Sequence, residues 1–489
     1  MESLVQSLKK LHSGKLFVFS FLLLIFLPRI VQKGMFGDGL LYAAIARNLA
    51  EGKGSWWMPY FSSSYWLENI PEYYYENPPL MLWVQSLYFK VAGDFWWTEK
   101  SFGIILFIIN VLTLRWVWKT YFYNDPQRAK YWFVLPLFWN FQPISPWGNV
   151  NNMMDNMLLT CCLAAIAFTL QGIHVSKVVN IKALSAAAIM VFLGLMVKGP
   201  VALYPIALPV VYWWIKRSPS LMLSVSSSAF ILGGSILCFV CMLYFVPDAL
   251  EYFQAYWNQR LKAVITGSRN DMKLMGWDRF YILGQLAIQI LPATFIATVS
   301  FFIAKVNKVK LPYEDALIFV IMGFGATLPI LASTKQSGIY LIPGLPMFSI
   351  AALMYSLPAI DILFNKRFFS TYKTQINVLW IGLLLIGVIS TYTNFGKKGR
   401  EQGIISDLEQ LKPMIPQNSY ISVCDTMMHD FVIHTYAQRM NHYELKSIAD
   451  SSEYLMTNHL CDSLEITRLN NYQRLEIPGL DYFTIYKKK

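Results

Sequence analysis

The sequence predicts a mainly α-helical polytopic membrane protein, with surface-lying helices in its first outer loop and a small C-terminal α/β domain. Three observations predict this. Of 489 residues, 55% are hydrophobic and only 14% charged, where a soluble protein carries roughly 25% charged residues. The apolar residues come in runs of the length that crosses a bilayer, about 20 residues, and mean hydropathy is +0.40. After Thr393 the composition changes abruptly, with polar and charged residues throughout 394–489. The net charge of +12 does not indicate nucleic acid, because the basic residues punctuate the apolar runs instead of forming one patch.

The apolar runs give membrane spans near 16–33, 101–119, 130–148, 155–174, 183–199, 200–215, 221–246, 280–304, 314–332, 338–364 and 376–393. Lys9, Lys10 and Lys15 precede the first, but its core is long and no small-x-small cleavage site follows, so it reads as an anchor and not a signal peptide. Basic clusters occupy alternate connections: Arg115, Lys119, Arg128 and Lys130; Lys177 and Lys182; Lys216 and Arg217. The series ends with Lys305, Lys308 and Lys310, then Lys366, Arg367 and Lys373. By the positive-inside rule these face the cytoplasm, which puts the N-terminus inside and the tail outside.

That parity constrains "PPLMLWVQSLYFKVAG" (78–93). If it crossed the membrane alone, every later basic cluster would face outward. It is short, begins with two prolines and carries Lys90, so it reads as a helix lying on the membrane surface. A first surface helix follows Asp38, where Leu41, Tyr42, Ile45 and Leu49 share one face with Arg47 and Asn48 off it. Residues 34–100 are then one outer loop, and the spans number eleven, or thirteen if a pair hides there.

Polar residues collect on the outer side. Asp38 begins the first loop, followed by Glu68, Glu72 and Glu76 among the aromatic residues Trp56, Trp57, Trp66 and Tyr73-Tyr74-Tyr75. Asn149, Asn151, Asn152, Asp155 and Asn156 lie in the second loop, and Lys198 in the tight "KGP" link between two spans. Arg260, Lys262, Arg269, Lys273, Asp278 and Arg279 occupy the large loop 247–279; Lys335 and Tyr340 come from "STKQSGIYLIPGLP". Charges are costly at membrane depth and usually functional there. Carboxylates and cations at one interface suit an anionic lipid headgroup and a reacting hydroxyl.

These motifs, in this order, resemble the GT-C membrane glycosyltransferases, specifically the protein O-mannosyltransferase and lipid A aminoarabinose-transferase group. The carriers are Asp38, Glu76-Asn77-Pro78-Pro79, Asp155, Lys198-Gly199-Pro200 and the Lys335, Tyr340, Pro343 segment, spread over about 16–360. The family usually places Lys or His where Asn77 stands, and the Lys335–Tyr340 spacing is one residue longer than its pattern. The resemblance implies transfer of a sugar from a polyprenyl-phosphate carrier to a glycolipid, lipid A, polysaccharide or protein acceptor on the outer face. It implies a multi-pass protein of a bacterial inner membrane, with its site and tail on the periplasmic side.

An acceptor hydroxyl is a poor nucleophile and needs a carboxylate to take its proton. Asp38 is the candidate base; as a helix cap its carboxylate would be held in place. Asp155 is its candidate partner. Cations aimed at the leaving phosphate lower the barrier, and Lys198, Lys335 and Arg260 are candidates, with Tyr340 as a hydrogen-bond donor. Glu76 and Asn77 fall to the acceptor side or beside a metal. Asp38, Asp155 and Glu76 offer hard oxygen ligands for a divalent cation, without a dense ligand motif, so the cofactor stays open. His429, His434, His442 and His459 lack metal-ligand spacing.

Cys161, Cys162, Cys238 and Cys241 lie in apolar runs as inert thiols, and Cys238-x-x-Cys241 is discounted as a redox motif at membrane depth. Cys424 and Cys461 are free to pair if the tail is outside the cytoplasm. In the tail, "SYISVCD" and "YFTIY" read as strands, "REQGIISDLEQLK" and "TMMHDFVIHTYAQR" as helices. The alternative to an enzyme is a transporter or flippase of lipid-linked sugars. That reading expects charges near mid-membrane and inverted repeats, which the sequence does not display.

Overall fold

The computed structural model describes residues 2–63, 73–175, 179–262, 280–333, 335–363, 368, 371–459, 461 and 471–489. Trp66, Glu68, Glu72, Lys177, Arg269, Lys273, Asp278, Arg279, Lys366 and Arg367 lie outside the described residues. The chain forms two compact units: one of Met1–Pro28 and Gly103–Thr393, the other of Arg29–Phe102 and Asn394–Lys489. The polar tail thus shares its unit with the first loop.

The principal helices begin with α1 (Glu2–Ile30), α2 (Gly37–Ala50), α3 (Leu80–Ala92) and α4 (Thr98–Tyr121). Next come α5 (Leu135–Asn140), α6 (Ile144–Val150), α7 (Met154–Leu170), α8 (Ile181–Lys198) and α9 (Leu208–Lys216). The series continues with α10 (Leu221–Phe245), α11 (Pro247–Tyr256), α12 (Tyr281–Val306), α13 (Tyr313–Thr327), α14 (Leu345–Leu363) and α15 (Lys373–Asn394). The tail holds α16 (Gln402–Leu411) and α17 (Phe431–Asn441). Its strands are β1 (Tyr420–Val423), β2 (Glu444–Ser447), β3 (Tyr454–Thr457), β4 (Tyr472–Arg474) and β5 (Thr484–Lys488).

Among the described residues, eight helical stretches are long and apolar enough to cross a membrane. The chain is a multi-pass membrane protein. One of the eight is the 181–216 run, which the sequence divides at Lys198. The stretch expected as a span at 130–148 is a series of short helices, interrupted at 141–143, where Pro143 lacks a backbone donor. The expected span at 338–364 becomes helical only from Leu345, after a tight turn at Gly338–Leu341.

The membrane unit is layered by burial. In α7 and α14, 72% of the spanning window is buried, against 11% in α10 and 6% in α15. The outer helices point Met222, Leu237 and Tyr244 of α10 and Ile389 of α15 outward, as helices do when the solvent is lipid. Hydroxyls inside the helices bond back one turn: Thr169 to the Ala165 carbonyl, Thr327 to Gly323, Ser227 to Leu223. Where helices break, buried amides take the freed backbone groups. Gln289 Oε1 accepts from Ile144 N at 2.7 Å, Gln336 Oε1 from Ile282 N at 3.0 Å, and Gln142 Nε2 donates to Leu345 O at 3.1 Å.

The second unit is a five-stranded sheet in the order β2-β1-β3-β5-β4. β2, β1 and β3 run parallel, with Ile421 opposite Leu445 and Tyr454; β5 and β4 continue antiparallel. Strands were expected at β1 and β5; β2 and β4 are short and polar, and β3 is buried at all four positions and so shows no alternation. The helix expected over 426–439 is split, because Asp430 Oδ1 accepts from Val432 N and Ile433 N and starts α17 afresh. Cys424 and Cys461 form a disulfide.

The first loop is built into the tail's core. Met35 and Leu40 pack with Ile405, Leu408, Ile433 and Tyr436, and the Tyr436 hydroxyl donates to Met35 O at 2.9 Å. The expectation of a surface-lying α2 is corrected. From Gly39 to Leu49 every residue is buried, including Arg47 and Asn48. The two polar residues look solvent-facing in sequence because their partners are almost four hundred positions away. The Arg47 guanidinium donates to the Gln438 and Arg439 carbonyls at 2.9 and 3.2 Å, the exposed carbonyl end of α17. Arg439 in turn binds Glu99 Oε2 and Asp94 Oδ1, both at 2.7 Å, and the Phe95 carbonyl at 2.7 Å. In α3, Gln85 and Ser86 are buried while Leu87 and Val91 are exposed. This reversed polarity fits a 13-residue helix too short to span yet facing lipid.

Arg439→Met leaves Glu99 and Asp94 without their cation. It is expected to destabilise the second unit by about 3–5 kcal/mol, the usual cost of breaking a buried pair, read as the shift in urea midpoint for proteolysis of the tail.

The acid limb of stability has two expected parts. Burial pulls the His434 pKa down to about 4. It is therefore neutral when folded, and its stabilisation is lost as pH falls from 6.5 toward 4. Burial alone would raise the Asp94 pKa, but His442, Arg439 and Arg47 outweigh it and hold the group at about 2, so its contribution disappears only between 3.8 and 2. Protease resistance against pH should lose the upper step in His434→Gln and the lower step in Asp94→Asn.

Candidate active site

In the membrane unit, Asp155 and Lys198 form one ion pair, with Lys198 Nζ donating to Asp155 Oδ2 at 2.6 Å. The side chains are 1% and 14% exposed. Local sequence explains both positions. Met153 is extended and Asn152 has φ of 53°, so the chain starts α7 afresh with Asp155 in its first turn. Lys198 is the last residue of α8. An anion is favoured at a helix N-terminus and a cation at a C-terminus. Because α7 and α8 pack side by side as successive antiparallel helices, those two ends coincide.

Two more candidates join this pair. The Lys198 ammonium lies 4.9 Å from the centroid of the Tyr340 ring, a cation–π contact. Gly199 has φ of 70°, and a Cβ there would lie 2.7 Å from the Tyr256 hydroxyl. Only glycine fits on both counts. Tyr256 ends α11, and Arg260 follows one turn later. Burial pushes the Tyr256 hydroxyl up to about 12, against the opposing charge of Arg260. Lys335 is half-buried in a bend that Ser333 Oγ fixes, accepting from Lys335 N at 3.2 Å and donating to its carbonyl at 2.9 Å. So Lys198 contacts both Asp155 and Tyr340, Tyr256 lies against the neighbouring Gly199 with Arg260 one turn further on, and Lys335 belongs to Tyr340's segment.

Several asparagines expected in the site serve the backbone. Asn156 Nδ2 donates to Gly148 O at 2.8 Å and Asn151 Nδ2 to Trp147 O at 2.8 Å. Tyr256 went unread in the sequence. Its signal was the steric demand of Gly199, which needs coordinates to see.

The second unit holds Asp38, Glu76 and Asn77. Asp38 does not cap its helix: Phe36 occupies the N-cap position without a side-chain cap, and Asp38 is the second residue of the first turn. The dipole favours a carboxylate there all the same. Gly37 is required beside it, since a Cβ would meet the Phe431 ring at 2.7 Å. One turn on, Tyr42 packs edge to face on Tyr74 with centroids 6.3 Å apart, and the Tyr74 hydroxyl accepts from Asn77 Nδ2 at 2.6 Å. Glu76 is half-buried in the same link ahead of α3. The Asp38 helix and the Glu76-Asn77 link are thus tied through two tyrosines.

Solved structures share this architecture. ArnT from Cupriavidus metallidurans bound to undecaprenyl phosphate matches over 96% of this chain and 97% of its own, at 14% identity and a TM-score of 0.64. The same protein in the apo state covers the same shares at 14% identity and a TM-score of 0.61. The archaeal oligosaccharyltransferase AglB from Archaeoglobus fulgidus, in complex with an inhibitory peptide and a dolichol-phosphate, matches over 92% of this chain and 70% of its own. Its identity is 10% and its TM-score 0.54. The chain has the GT-C glycosyltransferase fold. No protein-family model and no curated protein matches it.

Among the described residues, one group of metal-type ligands comes together: Glu51, Asp94 and His442. One of its carboxylates also binds an arginine. Asp94 Oδ1 holds Arg439 at 2.7 Å, and the two His442 nitrogens face different carboxylates, Asp94 at 3.2 Å and Glu51 at 3.8 Å.

The Asp155–Lys198 pair predicts a coupled response. Lys198→Met alone should cost about 3–5 kcal/mol by stranding a buried carboxylate. Adding Asp155→Leu should recover about 1–3 kcal/mol of that. Thermal unfolding in detergent across the double-mutant cycle measures both terms.

Proposed function

We propose that the chain transfers a sugar from a polyprenyl-phosphate carrier to an acceptor hydroxyl. The carrying observation is the cluster of Lys198, Tyr340 and Asp155, in a fold shared with ArnT bound to undecaprenyl phosphate. The acceptor oxygen attacks the anomeric carbon as the bond from that carbon to the phosphate oxygen breaks. The proton passes to Asp38, and the electron pair leaves with the polyprenyl phosphate.

Negative charge grows on the leaving phosphate, so pre-placed cations lower the barrier. Lys198 can give one N–H to Asp155 and the others to phosphate oxygens; Asp155 is thereby a positioning residue for Lys198. Arg260 and Lys335 add charge, which matters more because Asn77 replaces a basic residue of the related pattern. Tyr340 donates a hydrogen bond. Glu76 and Asn77, tied to the Asp38 helix through Tyr74 and Tyr42, take the acceptor side.

The Cys424–Cys461 disulfide supports an oxidising compartment for the tail. With the basic clusters this favours the periplasmic side of a bacterial inner membrane. On that orientation neither cysteine should react with a maleimide until the purified protein is reduced; ready labelling of both in protein taken from cells places the tail inside.

The decisive experiment measures sugar transfer by purified protein with a panel of polyprenyl-phosphate sugars. Asp38→Asn should lower turnover with little change in KM. Lys198→Met should cost about 3–4 kcal/mol of transition-state stabilisation, a hundredfold or more in kcat/KM. If no donor turns over and wild type in liposomes moves lipid-linked sugar between leaflets, the protein is a flippase.

A further inference from the structure

The chain leaves two of its long helices at one place. α1 ends at Ile30 and α15 at Asn394, and the segments that follow them pair with one another. Gly396 N donates to Val31 O at 2.9 Å, Lys33 N to Lys397 O at 2.8 Å and Gly399 N to Lys33 O at 3.0 Å. The result is a parallel bridge with Lys33 opposite Lys398. Like charges opposite one another on paired strands cost stability, yet the backbone fixes these two lysines side by side. Arg29, Lys397 and Arg400 belong to the same two segments.

The two lysines share one carboxylate. Lys33 Nζ lies 2.5 Å from Glu409 Oε1 and Lys398 Nζ 3.1 Å from Oε2. Burial alone would raise the Glu409 pKa, and the two ammonium groups hold it below the usual carboxylate range. Glu401 lies 3.7 Å from Arg400. Two carboxylates against five basic residues leave an excess of positive charge in these segments. An ammonium has three N–H donors. Lys33 gives one to Glu409, and Lys398 gives one to Glu409 and one to Ser406 Oγ at 2.7 Å. The lysine side chains are 31% and 29% exposed, so their remaining donors are open to a ligand.

The surroundings decide which anion fits. Phe395 is 67% exposed and packs edge to face on the exposed Trp96, with centroids 6.3 Å apart. Lys100 donates to the Gln32 carbonyl and lies 5.9 Å from the Trp96 centroid, which places this aromatic corner beside the bridge. Exposed aromatic rings at the end of a span mark the level of the lipid headgroups. Cations and apolar rings side by side at that level suit a molecule with a phosphate at one end and hydrocarbon at the other. Free phosphate would use the donors and leave the rings uncovered.

We propose that the Lys33–Lys398 bridge binds the phosphate of an anionic phospholipid, with Phe395 and Trp96 against its glycerol and first acyl carbons. The bridge forms only while the first loop and the tail are paired, so a lipid bound there stabilises their pairing by mass action. This site goes beyond the transferase reading and does not depend on it.

The test uses the full chain, purified and delipidated in dodecylmaltoside micelles, and titrated with dioleoyl phosphatidylglycerol or dioleoyl phosphatidylcholine. Native mass spectrometry should show phosphatidylglycerol binding at least about fivefold tighter, as expected for two lysines at a headgroup. In wild type, phosphatidylglycerol should slow amide exchange at 31–34 and 396–400. Lys33→Gln with Lys398→Gln should bring the preference below about twofold. Lys446→Gln, on β2 of the tail, should keep it. Lys398→Gln alone serves if the double variant does not fold, and the exchange measurement needs no variant.

Equal binding of the two phospholipids, an unchanged preference in the lysine variants, or slowed exchange elsewhere overturns the proposal. Inorganic phosphate that slows exchange at 31–34 as well as the lipid does makes the bridge a simple anion site and also overturns it. The same holds if undecaprenyl phosphate protects these segments and phosphatidylglycerol does not. Sugar transfer that persists in the lysine variants leaves the transferase reading standing, whichever way lipid binding turns out.

Discussion

A charge taken out of water must be paired, and this one constraint organises both units of the protein. In the second unit, Arg47 and Arg439 are buried, and each donates to several acceptors. The result is that a loop near the N-terminus and a tail beginning at residue 394 are one unit. Hydrophobic burial supplies most of the stabilisation, but it is non-directional. The arginines decide which helix end meets which loop, because a guanidinium satisfies its donors only in one plane.

In the membrane unit the same constraint acts on the backbone. Helix ends leave peptide groups without partners inside the helix. Gln289 takes Ile144 N after the break at 141–143, and Gln142 and Gln336 serve Leu345 O and Ile282 N at the starts of two other helices. The buried polar residues of this unit thus divide into two kinds. Amides and hydroxyls repair breaks in helices, whereas Asp155, Lys198 and Arg260 are charges that no backbone repair requires.

The Asp155–Lys198 pair shows how a structural constraint can serve chemistry. Asp155 accepts from Lys198, which lies over Tyr340, and the helix N-terminus and C-terminus at which they sit favour an anion and a cation respectively. A lysine held in this way has less freedom to lose when an anion arrives.

The sequence by itself determined the membrane-spanning character, the polar tail, most helices and the short surface helix at 80–92, because hydropathy and length are local quantities. It also placed Asp155, Lys198 and Tyr340 on one side, since helices that alternate direction bring their odd-numbered ends together. Only the tertiary structure decided what those residues touch. It showed that Asp38 follows the cap instead of forming it, that α2 is buried on all sides, and that the loop asparagines bond the backbone. It also revealed Tyr256 against Gly199, and the guanidinium of Arg47 on carbonyls nearly four hundred residues away. The burial of α2 and the contacts of Tyr256 and Arg47 depend on distant segments, and periodicity within a window carries no information about a partner outside it.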